Sequence, residues 1–201
     1  MSAEAFAAAS DVSRETLEKL IRYLALLEKW QRRINLVGRS TLADPWRRHM
    51  LDSAQLLPLL PEGARILVDL GSGAGFPGMV LAILGVPEVH LIESDGRKAA
   101  FLGEVSRETS TPVTIHAARI EDVRPFVADV VTARALAPLP DLVELARRFS
   151  DSRTVWLFPK GQDVDRELTA TTKEANMRLE RVPSRAHPSA VILRLTRTDG
   201  D

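Results

Sequence analysis

No cysteine occurs anywhere in the chain. That absence excludes a disulfide framework, a thiolate metal site and a cysteine nucleophile. A surplus of one charge is lacking too: 27 Lys and Arg balance 27 Asp and Glu, so global charge names no partner. The longest strongly apolar run, MVLAILGV at 79–86, falls far short of the roughly 20 residues that span a bilayer, and no membrane partner is expected. The opening MSAEAFAAAS carries an acid and no long apolar centre, so it does not read as a secretory signal. A cytoplasmic location is expected. The four histidines, at 49, 90, 116 and 187, show no metal-ligand spacing, and no metal is expected.

What is present suggests one core. A chain of 201 residues with 45% hydrophobic content is expected to fold as a single domain. Leu17, Leu20, Ile21, Leu24, Leu27 and Ile34 recur at helical spacing, which predicts an amphipathic helix over 14–33. Asp44-Pro45 predicts a second helix start. That helix places Trp46, Met50 and Leu57 on one face and His49, Asp52 and Ser53 near another. Between Lys29 and His49 stand Arg32, Arg33, Arg39, Arg47 and Arg48 against a single acid, Asp44. Such a cluster fits a phosphate backbone or a solvated face equally well.

From residue 65 short β-rich runs alternate with helical stretches. Strands are predicted at 65–70, 89–93, 113–117, 129–134 and 154–160. Helical segments are predicted at 77–85, 96–109, 138–149 and 162–176, with a short turn near 120–126. Two last strands, RLERVPS and AVILRLTR, close the chain as a hairpin. The expected fold is α/β and Rossmann-like: a seven-stranded, mostly parallel sheet with helices on both faces and a C-terminal antiparallel hairpin.

The first strand runs into LVDLGSGAGFPG, four glycines within eight positions. A P-loop needs Gly-Lys-Ser/Thr at its end, and no lysine follows. The dinucleotide fingerprint needs Gly-x-Gly-x-x-Gly, whereas Phe76 stands where its third glycine belongs. Gly71-Ser72-Gly73-Ala74-Gly75 suits S-adenosyl-L-methionine, which has no phosphate but needs backbone close by. Asp69, at the strand end, is placed to attract a positive donor directly or through water. Glu93 lies 20 residues after Gly73, where an acid accepts hydrogen bonds from ribose hydroxyls. That acid serves NAD as well.

These residues resemble those of the bacterial small-subunit ribosomal RNA guanine-N7 methyltransferases, the GidB or RsmG family. The matching stretches are INLVG (34–38), RHMLDS (48–53), DLGSGAGFPG (69–78), ESDGRKAAFL (93–102), ARIED (118–122), ARALAPL (133–139) and FPKG (158–161). The resemblance, over about residues 20–197, implies a class I S-adenosylmethionine-dependent methyltransferase. The two helices that precede the first strand are expected to form a helical cap over 1–62 on a methyltransferase core over 63–197. It places donor-binding positions at Gly71, Phe76, Ile120, Glu121 and Arg134. It implies 16S ribosomal RNA, in the small subunit or its assembly intermediate, as the partner. The target it implies is a guanine in the conserved loop near the decoding site.

The residues permit that chemistry. The fourth strand ends in Thr132-Ala133-Arg134-Ala135, without the Asn/Asp-Pro-Pro-aromatic element of exocyclic-amine methyltransferases. Guanine N7 has a lone pair and no proton, so attack on a methyl group needs no general base. Alignment alone is worth up to about 7–11 kcal/mol. Arg134 and Lys160, at strand ends, are candidates for the acceptor edge, where Arg and Lys read guanine O6. Lys160 is expected to act on O6 or phosphate and stand off from N7, because the methylated ring is cationic. His49 and Asp52 form a polar helix face expected beside the glycine loop. Other readings are the same fold acting on another RNA or small molecule, a catalytically silent RNA-binding protein, and an NAD-dependent oxidoreductase.

Overall fold

The apolar strand runs are buried because helices cover the sheet on both sides, and side chains alternate between the two faces. The computed structural model describes residues 1–161 and 177–197. Five parallel strands come first: β1 Ile66–Leu70, β2 Glu88–Ile92, β3 Thr114–His116, β4 Val130–Ala133 and β5 Val155–Lys160. The hairpin β6 Met177–Pro183 and β7 Val191–Arg197 follows, with β7 antiparallel to both β5 and β6. The sheet order is β3-β2-β1-β4-β5-β7-β6. Strand order reverses between β1 and β4, which opens a cleft at their C-terminal ends.

On one face Leu67, Leu91, Val130 and Leu157 meet α1 Ala3–Ser10, α2 Arg14–Gln31, α4 Gly78–Ile83 and α5 Gly96–Glu108. On the other, Val68, Leu70, Val131, Trp156 and Phe158 meet α6 Leu139–Arg147. Helix α2 is N-capped by Ser13, whose hydroxyl accepts from Thr16 N–H. It buries Leu20, Tyr23, Leu24 and Leu27, each leucine worth roughly 1.5–3 kcal/mol of transfer free energy. The predicted helix over 162–176 lies outside the described residues.

Two local features depart from expectation. Helix α1 has no apolar stripe to announce it. It is held by Phe6, which is fully buried and packs 5.3 Å from the Trp46 ring. The helix expected after Pro45 begins as a wider π-type segment, Trp46–Leu51, and only then becomes α3, Asp52–Ala54. The widened turn alters the register. Leu57 therefore does not share a face with the buried Met50; it falls in the 3-10 turn Leu57–Leu59 and is 38% exposed. Among the described residues no helix is long and apolar enough to cross a membrane, and no group of three or more His, Cys, Asp or Glu can hold a metal ion.

Candidate functional site

After β1 the chain turns through Gly71, Gly73 and Gly75, all at positive φ (63°, 56° and 90°). The loop's N–H groups are largely spent inside the protein. Ser72 N–H donates to Ile92 O, Gly75 N–H to Ser72 O and Gly78 N–H to Asp69 Oδ2. Gly73 N–H donates to Glu93 Oε2 at 2.8 Å. A pyrophosphate would meet committed donors and a carboxylate. The loop is thus poorly made for phosphate and well made for a neutral or cationic ligand at close approach.

Asp69 holds this loop from behind. Its Oδ1 accepts from Thr132 Oγ1 at 2.7 Å, and its backbone carbonyl accepts from Ser72 Oγ at 2.9 Å. The side chain is wholly buried, which pushes its pKa up to about 6 against the hydrogen bonds that favour the anion. It faces the loop backbone and β4 rather than the cavity. The register sets Asp69 beside Thr132, and its carboxylate is engaged by the Thr132 hydroxyl and Gly78 N–H. Gly75 also lies off the cavity, since a Cβ there would meet the Tyr23 hydroxyl at 2.6 Å and Met79 Cβ at 2.8 Å.

Phe76 is the centre of a ring stack. The Tyr23 ring lies 5.2 Å and the His49 ring 4.6 Å from it, both nearly parallel to it. The Arg134 guanidinium stands 5.1 Å from the same ring. Tyr23 OH donates to Ala74 O within the glycine loop, and burial holds its phenol well above the usual pKa. Nothing in the sequence singled out Tyr23, whose partner is 51 positions away.

Arg134 is held at three points. Its Nη1 donates to Asp52 Oδ2 and to Arg48 O, each at 3.2 Å, and its Nη2 reaches His49 Nδ1 at 3.2 Å. A guanidinium can only donate, so His49 Nδ1 accepts and the ring proton sits on Nε2. Nε2 then donates to Thr41 Oγ1 at 2.8 Å, and Thr41 Oγ1 donates to Gly38 O at 2.6 Å. Burial, with Arg134 and Arg48 adding to it, depresses the His49 pKa to about 3. The imidazole is neutral across the physiological range.

These groups edge a cavity of about 1140 Å³ at the C-terminal ends of the strands, large enough for a nucleoside ligand and a base together. Gly71, Ser72, Gly73 and Phe76 form its floor, and Arg134, His49 and Asp52 one wall. Glu93, Ile120 and Glu121 line the side beyond β2. Glu93 is 7% exposed, and its Oε1 accepts from Asp95 N–H at 2.7 Å. The turn bearing Ile120 is fastened by Arg148, whose Nη2 donates to Glu121 O at 2.7 Å. Lys160 lines the opposite end, its Nζ donating to Ala137 O at 3.0 Å. Of the predicted RNA contacts, Arg48 reaches the cavity. Arg32, Arg33, Arg39 and Arg47 are exposed outside it, Arg47 paired with Asp44 at 3.3 Å. Lys98 and Arg119 also line the cavity; the sequence reading missed both, although each follows the end of a strand.

The chain matches the model of the GidB family, described as rRNA small subunit methyltransferase G, over residues 16–190. It is 60% identical over 195 residues to the ribosomal RNA small subunit methyltransferase G of Rhodospirillum rubrum, covering 97% of each chain. Identity to that of Rhodospirillum centenum is 61% over 191 residues, covering 95% of this chain and 88% of the relative. Among solved structures, a putative O-methyltransferase from Klebsiella pneumoniae superposes with a TM-score of 0.64 at 15% identity, over 90% of each chain. A putative S-adenosyl-L-methionine-dependent methyltransferase from Methanococcus maripaludis gives 0.63 at 10% identity, over 76% of this chain and 86% of that one. Those two likenesses carry the fold. The family match spans most of the chain and the near relatives share about their whole length with it, so this chain belongs to the rRNA small subunit methyltransferase G family.

Proposed function

We propose that this chain binds S-adenosyl-L-methionine over its glycine loop and transfers the methyl group to N7 of a guanine in 16S ribosomal RNA, in the conserved loop near the decoding site. The observation that carries the donor assignment is the accounting of loop N–H groups, with Gly73 N–H given to Glu93 Oε2. A phosphate-free, positively charged nucleoside suits that floor; a dinucleotide does not. Bound there, the donor supplies an electrophilic methyl group on a sulfonium.

The chain's own residues bind and align. Glu93 keeps lone pairs for ribose hydroxyls, and Ile120 and Glu121 flank the adenine. Arg134, fixed by Asp52, His49 and Arg48, sits at the junction of donor and base. No residue need take a proton, because N7 has none, and His49 is already committed to Thr41. Alignment in a preformed site is the catalytic contribution. Lys160 places a cation at the acceptor end. The exposed Arg32, Arg33, Arg39, Arg47 and Arg48 engage phosphates of the small subunit or its assembly intermediate in the cytoplasm, and the helices before residue 62 cap the catalytic core.

Calorimetric titration with S-adenosyl-L-methionine and with NAD tests the donor: saturable binding of the first alone is expected, and tight NAD binding without it overturns the reading. Mapping methylated nucleotides in small-subunit RNA from cells with and without the gene tests the acceptor. A missing 7-methylguanine in the deletion strain is expected. An unchanged methylation map leaves a silent RNA-binding protein instead.

A further inference from the structure

The wall of the cavity farthest along the sheet from β1 is the β6–β7 turn, residues 184–190. Antiparallel register sets Val191 opposite Lys160, so the turn lies against the C-terminal end of β5. Ala186, His187 and Ser189 of this turn line the same cavity as the glycine loop. Neither donor binding at the glycine loop nor alignment by Arg134 uses any of them.

A buried glutamine fastens the turn. Gln55, 4% exposed, accepts from Arg185 N–H at 2.7 Å through Oε1. Its Nε2 donates to Ser184 Oγ at 3.2 Å and to Asp52 Oδ1 at 3.0 Å. Ser184 Oγ in turn accepts from Ala186 N–H at 3.1 Å and His187 N–H at 3.4 Å. The other oxygen of Asp52 holds Arg134. One polar network therefore sets the distance between the end of β4 and the turn.

Within the turn, Ser189 fixes the ring of His187. Nδ1 lies 2.8 Å from Ser189 Oγ and accepts from Ser189 N–H at 3.3 Å. A nitrogen that accepts a backbone N–H carries no proton, so the ring proton is on Nε2. Among the described residues Nε2 has no hydrogen-bond partner.

We propose that His187 is the residue that reads the acceptor base, its Nε2–H donating to guanine O6, and that Gln55 is the positioning residue that holds it there. This rests on the guanine-N7 reading above. Guanine offers two acceptors side by side, N7 and O6, whereas adenine carries an amino donor in place of O6. An imidazole N–H meets O6 productively and meets the adenine amino group donor to donor, leaving both unpaired. A neutral donor also selects guanine without adding a further positive charge to those of Arg134 and Lys160, beside a ring that becomes cationic as the N7–methyl bond forms and the sulfur–methyl bond breaks. His187 keeps its proton throughout.

The test uses the full chain and small subunits reconstituted with RNA bearing guanine or 2-aminopurine at the mapped position. The second base keeps N7 and lacks O6. Single-turnover transfer of labelled methyl is measured for each. Wild type is expected to prefer guanine by about ten- to hundredfold. His187→Ala lowers the guanine rate to the 2-aminopurine rate and leaves the latter and S-adenosyl-L-methionine affinity unchanged. His187→Gln, which retains an amide N–H, restores part of the preference. Gln55→Leu loses the preference while His187 is still present. Equal slowing on both bases by His187→Ala, or no slowing on either, overturns the inference alone. Failure of the wild type to methylate guanine overturns the functional reading and the inference with it.

Discussion

Two glycines in the same loop are predicted to fail in opposite ways when each is given a methyl group. Gly73 and Gly75 share the left-handed backbone, at φ 56° and 90°, so Ala at either position carries about 1–2 kcal/mol of backbone strain. Their surroundings differ. A Cβ at Gly73 meets nothing closer than Gly71 O at 3.9 Å and projects into open space at a residue that lines the cavity. A Cβ at Gly75 meets the Tyr23 hydroxyl at 2.6 Å, Met79 Cβ at 2.8 Å and Leu102 Cδ2 at 2.9 Å. The tyrosine is hydrogen-bonded and the methionine carbon is fixed to a helix, so neither yields cheaply, and overpacking adds about 1–3 kcal/mol. Gly75→Ala should therefore lose about 2–5 kcal/mol in urea unfolding, whereas Gly73→Ala loses only the strain. Donor affinity should rank the other way relative to stability: Gly73→Ala, still folded, binds S-adenosyl-L-methionine about tenfold or more weakly. Calorimetry below the onset of unfolding separates the two effects. Equal destabilisation by both substitutions, or wild-type affinity in Gly73→Ala, refutes the account of the loop.

Other consequences follow from the same contacts. Tyr23→Phe keeps the ring stack and strips the donor from buried Ala74 O, so stability should fall by about 1–3 kcal/mol and donor affinity with it; an unchanged urea midpoint and Kd count against the contact. Two buried groups oppose each other in acid. His49, depressed to about 3 from 6.5, takes up its proton more readily in the unfolded chain, so its contribution is full above pH 6.5 and is lost as pH falls toward 3. Asp69, raised to about 6 from 3.8, binds its proton more readily when folded, so it adds stability as pH falls from 6 toward 4. Each slope approaches about 1.4 kcal/mol per pH unit. Relative to wild type, His49→Gln should lose less stability between pH 6 and 4 and Asp69→Asn should lose more; parallel pH profiles for all three proteins remove this assignment. Arg134→Lys retains the charge but cannot reach Asp52, Arg48 O and His49 together. Its turnover should drop by an order of magnitude or more, with small change in the KM for RNA, and the opposite split points to Arg134 as a mere RNA contact.

The sheet and its crossovers were legible because strands buried on both faces write nearly continuous apolar runs. The third strand is only Thr114–His116, at a sheet edge where β2 is its one neighbour. Helix α1 was not legible: one phenylalanine carries its packing, and one residue makes no period. The glycine loop announced its shape through residue type alone, yet the direction of Asp69 depended on the strand beside it, a matter of sheet register. Tyr23, Gln55 and His187 carry no local signal. Tyr23 and Gln55 act through contacts 51 and about 130 positions away, and only the folded chain brings those ends together.

The reversed direction of β7 has a practical side. The strand starts next to Lys160, at the mouth of the cleft, and finishes at Arg197 opposite Met177, where β6 begins. Arg197 therefore stands at the end of β7 remote from the cleft. A dye or surface tether attached at Arg197 sits at the end of β7 away from the cleft, so immobilised protein should bind S-adenosyl-L-methionine as tightly as protein in solution.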